Sequence, residues 1–222
     1  MLSGEAVVAI WNGITEAGRT EFYAWHLHEH MPERVGIPGF RRGRRYIAVT
    51  PDTQPEFFTL YETETMQVLQ GSDYRARLDA PTPWTRTATA EFRDTARVLA
   101  RVLASAGPGA GGVAMTVRFT AAPESRTNLA TLLRSAAEQP RICGAHLCAG
   151  DAAASATPSA ESAGRTDLQL PPDAFAMVEG TDAAAVDAAL PPDALAKAGA
   201  RNMVRGIYRL EYSRGRTAFA AS

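Results

Sequence analysis

Ala6-Val7-Val8-Ala9-Ile10-Trp11 contains no polar residue, so neither face of the extended segment it forms is suited to water. Asn12-Gly13 ends the run. Phe57-Phe58-Thr59-Leu60-Tyr61 is again apolar on both faces, and Val113 to Phe119 and Phe175 to Val178 read as strands of the same kind. Such strands need cover on both sides of their sheet, and this requirement limits the folds open to the chain more than any other feature.

The elements between these strands repeat. Glu16 to Met31 has a helical pattern. Phe40 to Thr50 is extended, with Tyr46, Ile47 and Val49 favouring strand and Pro51 stopping it. Thr65 to Leu69 and Tyr74 to Leu78 read as short helical pieces broken near Gly71-Ser72, and Asp79 to Trp84 as a rigid loop. Thr85 to Ala104 reads mostly as strand, because Phe92, Asp94, Ala96, Val98 and Ala100 alternate with Arg93, Thr95, Arg97 and Arg101. After Gly107 to Gly112, a hinge, the same order returns: strand at Val113, helix over Glu124 to Glu138, strands at Arg141 to Ala149 and Phe175 to Glu179, helix over Asp182 to Ala200 interrupted by Pro191-Pro192, strand over Met203 to Tyr212. Val8 matches Val113, Phe57 matches Phe175 and Phe92 matches Tyr208, at offsets of 105, 118 and 116. The growth in offset marks Asp151 to Asp167, rich in Ala, Ser and Gly, as a flexible insert in the second copy. The expected fold is α+β: two tandem ferredoxin-like βαββαβ repeats, residues 1–106 and 113–222 around a hinge at 107–112. Each antiparallel sheet carries helices on one face, and the other faces cover one another, sheet against sheet.

Composition narrows the function by exclusion. A net charge of −1 gives no reason to expect a nucleic-acid partner. Arginine outnumbers lysine 22 to 1, but no face collects the excess; Arg41, Arg42, Arg44 and Arg45 alternate sides on their strand, so the charge is divided. No apolar run approaches the ~20 residues that span a bilayer, so no membrane partner is expected. Met1 to Glu5 lacks a basic leader pattern, and a cytoplasmic location is expected. Cys143 and Cys148, five apart on a strand, face opposite sides and are read as core residues rather than a disulfide. No phosphate-binding glycine loop follows a strand, and no Gly-x-Ser-x-Gly elbow or CxxC pair occurs.

Three of the four histidines lie in Trp25-His26-Leu27-His28-Glu29-His30-Met31-Pro32-Glu33-Arg34. On a helix Phe22, His26 and His30 share a stripe, with Tyr23 and Leu27 beside it, and His28 points to solvent. Pro32 is expected to end or kink the helix with His30 in its last turn. His26 and His30 at i, i+4 fit three roles: packed helix-end residues, acid–base groups, or two ligands of a metal that lacks a convincing third. Arg34 could clamp a carboxylate, or simply pair with Glu33. Trp25, Tyr61 and Trp84 are core or pocket aromatics, Trp84 in its Pro-flanked loop being best placed to edge a cavity. His146 is read as structural.

A helix carrying His26, His30 and Pro32, turning through Gly36-Ile37-Pro38-Gly39-Phe40 into a strand within a doubled split β-α-β unit, resembles the dimeric α/β-barrel superfamily, and within it the EthD-like branch. The likeness covers both halves by topology, but the motif lies only in residues 22–46; the second half has no histidine at the equivalent helix. The resemblance implies a barrel closed within one chain and one site between helices and sheet of the first half; whether such pseudo-dimeric chains pair further, as a homodimer, is left open by the sequence. Members include cofactor-free monooxygenases, polyketide cyclases, lactone isomerases, haem-binding enzymes and proteins of no known activity, so the fold does not choose the reaction. The reading that results is a small, partly apolar organic molecule bound or converted without a cofactor. His26 and His30 would be the acid–base groups, Arg34 would hold an anion, and Trp25, Tyr61 and Trp84 would line the pocket. A non-enzymatic binding or structural module with packed histidines is the alternative, and a metal or haem protein a third.

Overall fold

The computed structural model describes residues 1–217. The first repeat runs β1 (Ala6–Ile14), helix α1 (Arg19–Trp25), a π turn (His26–His30), α2 (Met31–Gly36), β2 (Phe40–Ala48), β3 (Phe57–Thr63), α3 (Met66–Gln70), α4 (Ser72–Asp79), α5 (Pro83–Ala90) and β4 (Phe92–Ala106). The second runs β5 (Val113–Thr120), a 3₁₀ turn (Pro123–Ser125), α6 (Arg126–Ala137), β6 (Ile142–Gly150), α7 (Ala152–Ser155), β7 (Ala174–Gly180), α8 (Ala183–Ala189), α9 (Pro192–Lys197) and β8 (Arg201–Gly215). All strands pair antiparallel and close in the order β1-β3-β2-β8-β5-β7-β6-β4. Two four-stranded sheets thus join edge to edge, β2 with β8 and β4 with β6, and among the described residues no strand edge is left open. The expected tandem ferredoxin-like architecture is the one found, with the two sheets also hydrogen-bonded along both edges.

Alternation along each strand explains the doubly apolar sequence. Val7, Ala9 and Trp11 of β1 point into the barrel with Phe58, Leu60, Val98, Phe175, Met177 and Tyr208, which come from both repeats. Val8 of β1 points outward and packs under α2, α3 and α4 with Met31, Val35, Tyr61 and Leu99. On the second repeat Met115, Val117, Leu147 and Val178 meet Leu129 and Leu133 of α6, Val186 of α8 and Leu195 of α9. Among the described residues no helix is long and apolar enough to cross a membrane.

One end of the barrel interior is charged. Arg44 of β2 pairs with Glu62 of β3 (3.0 Å) and with Glu179 of β7, so it ties the two repeats together. Arg42 also meets Glu62 (2.8 Å), and the Ser3 main chain donates to the same carboxylate (2.7 Å). Burial alone would push the Glu179 carboxyl up, but His146 and Arg44 outweigh it and hold it at about 2. Because that carboxylate can only accept, His146 Nε2 donates to Glu179 (3.1 Å) and Nδ1 accepts from the Ser105 hydroxyl (2.9 Å). His146 is therefore structural, as expected. Cys148 lies in the barrel core, Cys143 is half-buried, and both are free thiols.

Three local expectations are corrected. The chain does not stop at Pro32: it widens into a π turn and continues as α2 to Gly36. Met31 N–H donates to the His26 carbonyl, an i to i−5 bond, and the wider turn makes room for a residue with no donor of its own. The turn also leaves Leu27 exposed instead of beside the apolar stripe. In place of the loop ending at Trp84 and a strand from Thr85, Thr82 caps α5, accepting from Thr85 N–H (2.9 Å), with Pro83 at the first helical position.

Arg44→Ala removes one cation from between two buried carboxylates. The expected cost is about 3–5 kcal/mol in urea unfolding. Arg41→Ala, which breaks a half-exposed pair with Glu64 (3.5 Å), is expected to stay within about 0.5 kcal/mol.

Candidate functional site

The π turn brings both imidazoles to the same side of the helix, over the outer face of β1 and β3. The His26 and His30 ring centroids lie 5.6 Å apart, and both side chains are buried. Phe22 packs 5.4 Å from His26, and Trp25 lies against His30 at 4.3 Å with an interplanar angle of 32°. Trp25 is itself fixed by its indole N–H, which donates to Thr85 Oγ1 of α5 (3.1 Å). Thr82 Oγ1 donates to Glu29 Oε1 on the same turn (2.6 Å), so α5 is bonded to the histidine turn at two points.

A cavity of about 40 Å³ lies against these rings. His26, His30, Trp25, Arg34 and Tyr61 all line it, together with Thr59 and Phe92. Trp84 does not. It sits half-buried at the start of α5, its indole N–H donating to Glu21, and packs on the outer cluster around Phe22 and Phe57. His28 is exposed. The sequence reading missed Tyr74, Arg97, Glu161 and Arg165, which also line the cavity. Tyr74 and Arg97 bond each other (2.9 Å) across α4 and β4. Glu161 and Arg165 come from the insert of the second repeat, where the available signal was a few charged residues isolated in an Ala/Ser/Gly stretch.

Among the described residues, three polar atoms around the cavity have no partner: His26 Nδ1, His30 Nδ1 and the Tyr61 hydroxyl. Buried polar atoms are rarely left so. Burial pushes His26 well below the ordinary histidine value, and the Arg45 charge adds to it. Burial does the same to His30, helped by the Arg34 charge. Both imidazoles are therefore neutral near pH 7, each with one nitrogen able to accept a proton. Burial also pushes the Tyr61 hydroxyl up, so it stays a donor. Arg34 is not free: it pairs with Glu33 (3.2 Å) and with Glu161. Among the described residues no group of three or more His, Cys, Asp and Glu side chains is placed to share a metal ion.

No protein-family model matches the chain, and no curated protein matches it. Solved structures do. An anthrone oxidase-like protein superposes with a TM-score of 0.62 at 11% identity, covering 98% of this chain and 95% of that one. A proposed monooxygenase from Lactobacillus acidophilus NCFM matches with a TM-score of 0.56 at 9% identity, covering 98% of this chain and 100% of that one. A proposed chlorite dismutase matches with a TM-score of 0.52 at 11% identity, over 94% and 96% of the two chains. With the closed eight-stranded barrel, these likenesses show a ferredoxin-like α+β fold whose barrel is here built within one chain. At such identities they show the fold alone.

The neutral histidines carry a sign for pH dependence. Below about pH 6.5 the unfolded chain binds protons that the folded chain excludes at His26 and His30, so stability is full above that pH and is lost as pH falls. His146, also lowered by burial, adds to this. The expected slope is about 1.4 kcal/mol per pH unit for each such histidine, and His30→Leu should remove about one histidine's share. Urea midpoints measured from pH 7.5 to 5.5 check both.

Proposed function

We propose that the chain binds and converts a small, partly apolar organic molecule in the cavity of the first repeat, using His26 and His30 as acid–base groups and no cofactor. The observation that carries this reading is the pair of buried, neutral imidazoles whose Nδ1 atoms have no protein partner. A ligand with a weakly acidic C–H or O–H beside an aromatic ring would give its proton to one imidazole, leaving an anion on the ligand. Tyr61 would donate to that anion, and Arg34 would stabilise its charge. Proton removal of this kind opens oxygenation, isomerisation or cyclisation. The anthrone oxidase-like and monooxygenase neighbours favour oxygenation, with molecular oxygen as co-substrate. Trp25 acts here through His30, which it holds in place. We drop Trp84 from the lining, because it stands outside the cavity. A cytoplasmic location, kinship with the EthD-like branch, a division at the 107–112 hinge and a homodimer of these chains belong to the same proposal.

A second reading has support in the cavity volume. About 40 Å³ holds water rather than an aromatic molecule, as expected of a binding or structural module whose histidines merely fill space. One experiment separates the two. Turnover of a panel of phenolic ketones, anthrone among them, is followed by oxygen uptake and absorbance for His26→Ala, His30→Ala and His28→Ala. Acid–base chemistry predicts a loss of about 100-fold or more in the first two and less than about twofold in the third. Equal behaviour of all three removes the catalytic reading.

A further inference from the structure

The insert of the second repeat lies across the first repeat. Its two ends are held by main-chain bonds to β4: Asp151 N–H to Leu99 O (2.8 Å) on one side, and Thr95 N–H to Asp167 O (2.9 Å) with Gln169 N–H to Thr95 O (2.8 Å) on the other. Between them the chain is pinned to the site by few groups. Glu161 pairs with Arg34, and its N–H donates to Leu78 O (2.9 Å). Arg165 donates to Thr95 Oγ1 (3.0 Å), pairs with Asp167 and lies 5.1 Å from the Phe92 ring centre. Two open clefts flank this segment, of about 520 and 580 Å³. Glu161 and Arg165 line both clefts and also the 40 Å³ cavity. They are the partition between the histidines and space large enough for a drug-sized molecule, on the order of 300–1,000 Å³.

We infer that residues 157–166 form a lid and that the Glu161 carboxylate occupies the place of a ligand anion on Arg34. The ligand class is then a small aromatic molecule bearing one carboxylate or phenolate, which displaces Glu161 and enters beside His26 and His30. Charge decides this choice. Arg34 is buried, and when Glu161 leaves, Glu33 at 3.2 Å is the carboxylate that remains. A neutral ligand would strand part of the buried guanidinium charge, whereas an anion replaces what was lost. The rings of Phe22, Trp25, Tyr61, Tyr74 and Phe92 supply an apolar wall for the ring of the ligand. In this state the chain inhibits itself: the observed affinity for an anion is the intrinsic one reduced by the fraction of molecules with the lid open. The inference rests on the proposed function only for the place where the ligand settles.

The test uses the full chain and 1-naphthoate, with neutral 1-naphthamide as control, in titration calorimetry. Glu161→Gln and Glu161→Ala are expected to bind naphthoate about tenfold more tightly than the parent chain, with a smaller gain for naphthamide. Arg34→Gln should abolish the preference for naphthoate. Because Arg34 is buried and this variant could fail to fold, hydrogen exchange of residues 157–166 in the parent chain is a second measurement. Saturating naphthoate should speed exchange there. Unchanged or weaker naphthoate binding in both Glu161 variants, no naphthoate binding to any of these chains, or unchanged exchange in the lid overturns the inference, even if His26→Ala abolishes turnover. Tighter binding in the Glu161 variants with turnover indifferent to His26 and His30 keeps the lid and removes the catalytic reading instead.

Discussion

Closure of two sheets into one barrel is the constraint from which the rest follows. Each repeat alone would leave the inner faces of its strands, Trp11, Phe58 and Val98 in the first and Phe175, Met177 and Tyr208 in the second, against water. Joining β2 to β8 and β4 to β6 removes that apolar area from solvent and satisfies the edge strands in the same step. The charged end of the interior adds specificity more than strength. A buried Arg44 between Glu62 and Glu179 fixes how the repeats meet, because a slipped register would strand at least one buried charge.

With the inner faces committed to each other, ligand chemistry is left to the outer faces, between sheet and helices. The two repeats differ there. The second is filled by α6, α8 and α9 on aliphatic residues such as Leu129, Leu133 and Val186. The first carries a π turn in its opening helix, and that turn sets two imidazoles against a hollow that Arg34 of α2 and the unpartnered Tyr61 hydroxyl of β3 also border. Desolvation is the dominant influence on the imidazoles. It keeps them neutral, which makes them usable as bases and also makes the site costly in acid. The second repeat is more than a structural partner, since its insert supplies Glu161 and Arg165 to the rim of the hollow.

Much of this was legible in the residues. Strands apolar on both faces and a strand–helix–strand–strand–helix–strand order repeated at offsets near 110 were enough for the tandem architecture, because burial on both sides leaves few alternatives. His26 and His30 were legible from helical spacing, which the wider turn preserves well enough to keep both rings inward. Pro32 misled because a proline usually ends a helix. Here a π turn absorbs it, and no local residue announces that turn. Thr82-Pro83 was a readable cap and first-turn signal, outweighed by the alternation further along β4. Trp84 was placed by its prolines, but Pro83 begins α5 and the Trp84 indole turns toward Glu21. Glu161 and Arg165 could not be assigned, since their role depends on a contact with Arg34, Thr95 and Phe92 far away in the chain.

The central claim is that the first helix holds two buried, neutral imidazoles against a hollow. Ring nitrogen chemical shifts of His26 and His30, followed by NMR as pH is lowered from 8 to 5, test it most directly. The account predicts that both rings remain neutral below the ordinary histidine midpoint of about 6.5. A midpoint at or above that value for either ring would contradict it.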